Sequence, residues 1–237
     1  MEQEIYDLEK GIEASIAKIS ALMTRKETVI VAIAGGSGSG KTEVVGARIK
    51  ATFGHAKVIN MDDYYLPIKE ILANNEINPD HPKAQKLELL EEHLSLLQKG
   101  ISIKKPIFSF LVQGGTVVGE EIIDPAKIII VEGLFSLTEG VAKHGDVKIF
   151  VDASYRTRLE RRLVRDVKRS TWSKEQTAGY YMRTGEPMYV KFVKPTKKNA
   201  DVVIVNNYVP EVEEKKLAES ELRDFAFEEY MGSDPKI

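Results

Sequence analysis

Residues 35–42 read Gly-Gly-Ser-Gly-Ser-Gly-Lys-Thr and satisfy G-x-x-x-x-G-K-[ST] through Gly35, Gly40, Lys41 and Thr42. Gly35, Gly36, Gly38 and Gly40, with Ser37 and Ser39 between them, let the backbone turn so that successive N–H groups face inward at a phosphate. A helix opening near Lys41 would add its positive dipole end. Lys41 would reach the β- and γ-phosphates, and the Thr42 hydroxyl would ligate Mg²⁺. The motif follows an apolar, β-branched run at 28–34 and precedes helical periodicity, which is the context it needs. The chemistry expected here is binding of a nucleoside triphosphate.

Other chemistry-bearing residues fall at the ends of later apolar runs. The segment 60–65, Asn-Met-Asp-Asp-Tyr-Tyr, ends the next strand. A carboxylate there can meet an acceptor hydroxyl beside a γ-phosphate, although paired aspartates at a strand end serve equally well as caps or turn residues. Glu132 follows the run 127–131. Arg158, Arg162, Arg165 and Arg169 are spaced four, three and four apart and share one helical face, with Leu159, Leu163 and Val167 as an apolar stripe beside them. On spacing alone such a face is simply solvated. There is no Asn-Lys-x-Asp segment for reading guanine and no Ser-Gly-Gly signature, which argues against a GTPase or an ABC-type ATPase.

The elements that must position these residues alternate. Unbroken apolar strands are expected at 28–34, 57–60, 127–131, 146–151 and 201–205, with helices at 84–99, 155–169, 173–184 and 186–193 between them. The pattern predicts an α/β fold of the P-loop NTPase type: a parallel sheet with helices on both faces, with an extended, hairpin-like excursion at 106–118. Residues 66–83 read as a loop. Ligands bind beyond the carboxyl ends of such strands, which is where the residues above lie. Residues 1–26 read as one amphipathic helix on the domain surface, a candidate contact to a second copy, and 211–230 as a closing helix. The whole of 1–237 is expected to form a single domain with its core at 28–205.

Composition narrows the partners. The 237 residues carry 34 Lys plus Arg against 36 Asp plus Glu, a net charge of −2, so no global positive field exists to hold a nucleic acid. Cysteine is absent, which removes disulfides, thiolate–zinc sites and a thiol nucleophile and fits a reducing cytoplasm. The longest apolar runs are far too short to cross a bilayer, and the charged N-terminus has no secretory apolar core. A small-molecule acceptor is the partner expected.

The segments GGSGSGKT, MDDYY, NPDHP, VEGLF, IFVDASYRTRLERRLVRD and KPTKKNAD occur in this order, and the chain from about residue 28 to 205 thereby resembles the uridine kinase and phosphoribulokinase family. The resemblance implies ATP- and Mg²⁺-dependent phosphorylation of the 5′-hydroxyl of a nucleoside, uridine or cytidine. It implies that Asp62 is the general base and that Tyr65 lines the acceptor pocket. It implies that Asp80 accepts hydrogen bonds from the ribose 2′- and 3′-hydroxyls, that Phe108 and Phe110 lie against the base, and that Glu132 holds Mg²⁺ through its water shell. It further implies that the arginine helix leads into a lid over the phosphates and that the excursion at 106–118 binds substrate: Arg162 would approach the acceptor, Arg165 and Arg169 would neutralise the transferring group, and Lys197 and Lys198 would lie beside the adenine. Two positions depart from the family pattern. Gln113 stands near the family's base-reading histidine, and Thr171 or Trp172 stands where an arginine would contact the base. Both lie at the base end of the pocket, so another small alcohol (a sugar, a sugar phosphate or a pantothenate-like compound) is the alternative acceptor. A nucleotide-dependent regulatory module without phosphotransfer is the third reading.

Overall fold

The computed structural model describes residues 3–73, 78–112, 114–169 and 173–207. The closing helix expected at 211–230 lies outside the described residues, as do Gln113, Thr171, Trp172 and the side chain of Arg169. In chain order the elements are β1 (Glu4–Asp7), α1 (Leu8–Met23), β2 (Val29–Gly35), α2 (Ala47–Phe53), β3 (Lys57–Asn60), α3 (Ile68–Ala73), α4 (Leu87–Gln98), β4 (Ile103–Ser109), β5 (Thr116–Ile123), β6 (Ile128–Glu132), α5 (Glu139–Ala142), β7 (Val147–Asp152), α6 (Tyr155–Arg169), α7 (Lys174–Tyr180) and β8 (Val202–Val205). A wide helical run, Lys41–Gly46, leads into α2, and further helical turns join α7 to β8.

Six strands form a wholly parallel sheet in the order β1-β8-β7-β2-β6-β3, while β4 and β5 form a separate antiparallel hairpin. Every residue of β2 and β6 is buried, which is why these strands are apolar without alternation. The two faces nevertheless divide by parity. Ile30, Ala32 and Ala34 pack with Leu90, Leu94 and Phe150, whereas Val29, Val31 and Ile33 pack with Ile12, Ile19 and Ile49. Helices α1 and α2 thus cover one face and α4 the other. Among the described residues no helix is long and apolar enough to cross a membrane.

The register assembles the site. Ile33 on β2 and Asn60 on β3 both pair with Glu132 on β6, so the tips of three strands end side by side. The turn after β2, the Asp62 segment after β3 and Glu132 therefore converge at one edge of the sheet.

Two expectations need correction. The N-terminal segment is not helical throughout: Glu4–Asp7 is a strand paired in parallel with β8, with Ile5 opposite Val203 and 62% exposed. Asp7 explains the break, because its backbone is extended and its carboxylate accepts from the Lys10 N–H at 3.0 Å, capping α1. The stretch 66–83 is not loop throughout either. Helix α3 forms where Ile68 and Ile71 pack against Tyr65, Ala84 and Phe108.

Helix α1 sits close to β8 because Gly11 has no side chain; a Cβ there would lie 2.7 Å from Cγ1 of buried Ile204. Gly11→Ala gains about 1 kcal/mol of helix propensity. It also forces α1 off a rigid β-branched neighbour, at a cost of about 1–3 kcal/mol. The expected result is a lower urea midpoint with an unchanged slope. An unchanged or higher midpoint would mean that α1 is loosely docked.

Candidate active site

The turn between β2 and α2 is held open by two glycines in the left-handed region, Gly38 at φ 82° and Gly40 at φ 88°. A Cβ on Gly38 would also lie 2.6 Å from the Arg158 carbonyl oxygen. The outward carbonyls are held from behind. Arg161 Nη1 donates to the carbonyls of Gly38 at 3.0 Å and Ser39 at 2.9 Å, and Asn206 Nδ2 donates to Ser39 at 2.9 Å. Arg161 Nη2 in turn donates to Asn206 Oδ1 at 3.1 Å. With these carbonyls held outward, the concave side of the turn is left to N–H groups, which suits an anion. Neither Arg161 nor Asn206 was among the residues expected from sequence. Arg161, three residues after Arg158 and four before Arg165, was left out of the arginine face read from spacing, and Asn206 belongs to no motif.

Facing the turn is a crevice of opposed charges. Lys41, Asp62 and Asp80 are partly covered and crowded by protein atoms, and Glu132 is buried. Burial pushes the Lys41 ammonium below its ordinary pKa, opposed by the negative charges of Asp62 and Glu132. Burial likewise raises the Asp62 carboxyl, opposed by Lys41 and Arg165. Burial, joined by the negative charge of Asp62, raises Glu132 as well, opposed chiefly by Lys41, with the Thr42 hydroxyl beside the carboxylate. Among the described residues no three His, Cys, Asp or Glu side chains cluster as a metal cage. The donor set of Thr42 and Glu132, all oxygen, fits Mg²⁺ in the manner of phosphate-binding sites, where one or two protein oxygens are supplemented by phosphate and water.

The paired aspartates separate into two jobs. Asp63 turns away from the crevice, accepting from buried Lys105 Nζ and from the Phe108 N–H at 3.2 Å, and so ties the β4–β5 hairpin to the end of β3. Asp62 is left facing Lys41 and Arg165. On the hairpin, Phe108 and Phe110 lie 4.9 Å apart between ring centres and 5.7 and 5.6 Å from Tyr65, forming one aromatic corner. Asp80, raised by burial, is opposed most strongly by Arg162. A small cavity bordered by Ser37, Asp80, Leu134, Tyr181 and Gly185 joins it to the phosphate-binding turn.

The arginine face does not act as one. Arg158 is buried, with its Nη2 donating to both carboxylate oxygens of Glu186 at 2.6 and 2.7 Å and its guanidinium 3.8 Å above the Tyr189 ring. It joins the helical turns after α7 to α6 and is a structural ion pair. Arg162 donates to Ser37 Oγ at 3.1 Å and to Asp166 at 3.0 Å, so it borders both the turn and Asp80. Arg165, paired with Asp166 at 2.7 Å, acts on Lys41 and Asp62. Leu159 and Leu163 pack with Ala178 and Tyr181, seating α6 on α7. Lys197 is paired with Asp152 at 2.7 Å, at the end of β7.

The raised carboxyl of Asp62 has a consequence for stability. A folded-state pKa above the unfolded value favours the fold below the ordinary carboxylate pKa, and that contribution is lost as pH rises through the folded value. Asp62→Asn removes the ionisation. The variant is expected to melt at a higher temperature than the wild type at pH 7.5, with the difference shrinking toward pH 4. Thermal melts across that range are the check, and a lower melting temperature at pH 7.5 would refute the assignment.

Comparison with known proteins agrees with this geometry. The sequence model of the phosphoribulokinase / uridine kinase family matches residues 30–213. A uridine kinase of Staphylococcus haemolyticus is 39% identical over 182 residues, covering 75% of this chain and 87% of the relative. One of Staphylococcus aureus is 37% identical over 183 residues, covering 76% and 88%. Among solved structures, phosphoribulokinase from Rhodobacter spheroides superposes with a TM-score of 0.60 at 18% identity, covering 76% of this chain and 70% of that one. D-glycerate 3-kinase from Cryptococcus neoformans gives 0.57 at 14%, covering 78% and 89%. These two likenesses speak for the fold alone, whereas the extent of the family match and the identity to the curated relatives place the protein: the chain belongs to the phosphoribulokinase / uridine kinase family of phosphotransferases.

Proposed function

We propose that this protein transfers the γ-phosphoryl group of ATP to the 5′-hydroxyl of uridine, and of cytidine, with Mg²⁺. The observation that carries the reading is Asp62, a carboxyl at the tip of β3 whose proton affinity is raised by burial and which faces Lys41 and Arg165. A base with a pKa lifted toward neutrality is better matched to taking a hydroxyl proton. The uridine kinases that share 37–39% of their aligned residues with this chain support the acceptor.

In this mechanism the acceptor hydroxyl lies between Asp62 and the γ-phosphate. Its proton passes to the Asp62 carboxylate as its oxygen bonds to phosphorus, and the bond to the β-phosphate oxygen breaks to release ADP. Lys41 and N–H groups of the turn around Gly40 hold the phosphates. Arg165 and Arg169 meet charge on the transferring group, and Arg162 lies on the acceptor side. Thr42 and Glu132 would hold Mg²⁺, which supplies further neutralisation of the phosphates when bound. Asp80 orients the ribose, and Tyr65, Phe108 and Phe110 flank the base. Closure of α6 and α7 would exclude water and suppress ATP hydrolysis. Such an enzyme draws on the cytoplasmic nucleotide pool, and the proposal extends to that compartment.

Asp62→Asn is expected to lower kcat by more than about tenfold, or ~1.4 kcal/mol, while the KM for ATP stays nearly unchanged. A smaller loss removes Asp62 as the base. Arg161→Ala should raise the KM for ATP about tenfold, because two charge-assisted bonds to the turn are lost. An unchanged KM would refute the role given to the outward carbonyls. ADP release with uridine, cytidine, fructose, a sugar phosphate and pantothenate tests the acceptor. Turnover with one of the last three and none with either nucleoside would favour the second reading, which the departures at Gln113, Thr171 and Trp172 motivate.

A further inference from the structure

Gln85 sits behind Tyr65 and is used by nothing described so far. It is 4% exposed, and neither Nε2 nor Oε1 has a hydrogen-bond partner among the described residues. Native structures rarely leave a buried amide unpaired at both ends, because each unmade bond is destabilising. For packing alone, an apolar side chain of the same volume would do better.

The position of Gln85 shows what its amide is near. Tyr65 and Gln85 form an isolated antiparallel bridge, flanked by Leu66 N–H donating to Ala84 and Lys86 N–H donating to Tyr64, both at 2.8 Å. A pair of this kind brings its two side chains out on the same face at closest approach. Gln85 therefore runs alongside Tyr65 into the acceptor side of the site. Burial, with the negative charges of Asp62 and Asp80, holds the Tyr65 hydroxyl well above its ordinary pKa and so keeps it a donor; the nearby Gln85 amide opposes this without making a well-formed hydrogen bond. Asp80 and Gln85 flank the short helical turn Pro82–Ala84.

We infer that Gln85 is an acceptor-recognition residue that, with the Tyr65 hydroxyl and Asp80, forms a polar patch for a vicinal diol on a ribose-sized ring. The inference rests on the function proposed above. The chemistry is complementary. An ionised Asp80 can accept both hydroxyl protons of a diol but cannot donate to the oxygens. The Gln85 amide and the Tyr65 hydroxyl supply donors for those oxygens. The amide oxygen stays available to accept from the Tyr65 hydroxyl or from the ligand. A site that leaves buried polar groups unpaired when a substrate hydroxyl is missing discriminates strongly against the deoxy analogue.

The test compares uridine with 2′-deoxyuridine in the wild type, in the near-isosteric Gln85→Met and in Gln85→Leu. Steady-state kcat and KM are measured for each acceptor and for ATP, alongside thermal melts of the free proteins. The expected result is a uridine KM raised about tenfold, an unchanged ATP KM, a melting temperature that is not lowered, and a uridine-to-deoxyuridine preference that collapses in both variants. An unmoved preference with normal uridine turnover overturns this inference alone. Lower melting temperatures in both variants with proportional loss for both substrates would assign the amide to packing and overturn it too. A wild type that turns over neither uridine nor cytidine rejects the proposed function and this inference with it.

Discussion

Carbonyl oxygens repel a triphosphate, so the turn at 35–42 is a phosphate site only if its backbone is kept facing one way. Glycine makes that orientation accessible but does not hold it. Here it is held by Arg161 from α6 and by Asn206 just beyond β8, which take the carbonyls of Gly38 and Ser39 from behind. The arrangement couples three parts of the chain far apart in sequence. Helix α6 and the end of the last strand thus help to shape the turn. Arg158 reinforces the coupling from below. Its side chain packs so closely on Gly36 that a Cβ there would lie 2.6 Å from Arg158 Cδ, while Glu186 neutralises its charge.

The strand order imposes the second constraint. With β6 between β2 and β3, Glu132 ends between the phosphate turn and Asp62. Carboxylates crowded into one crevice are disfavoured by burial, and Asp62, Asp80 and Glu132 all have raised pKa values. Lys41, Arg162 and Arg165 offset that burial only in part. Phosphates and cations bound in such a crevice would rearrange that charge.

The Asp62–Asp63 pair shows how neighbouring residues of one type acquire different roles. Their backbones sit in a single short helical turn, so their side chains leave in different directions. Asp63 finds a buried lysine and a backbone N–H on the hairpin, which fixes the aromatic corner of Phe108, Phe110 and Tyr65. Asp62 keeps the crevice. The hairpin thus owes its place to the residue beside the one that faces Lys41 and Arg165.

Much of this was legible before any coordinates. A β-branched run followed by GGSGSGKT specifies strand, turn and helix by local sterics, and the remaining apolar runs and their spacing specify a parallel sheet. Helix α6 was readable to the residue, because its charge and apolar stripes repeat over four turns. Local pattern was blind to the strand Glu4–Asp7. Four residues carry no period of their own, and their pairing with β8 comes from the far end of the chain. It was blind equally to the division among the arginines. Arg158, Arg161, Arg162 and Arg165 are alike in type and spacing, and only their surroundings separate a buried ion pair with Glu186 from a brace on the turn and from cations over the crevice. The sequence alone determined which chemistry the chain carries, because backbone sterics and periodicity are local. The tertiary structure decided which of several identical side chains performs it, because charge, burial and hydrogen-bond partners are properties of the neighbours that the fold brings together.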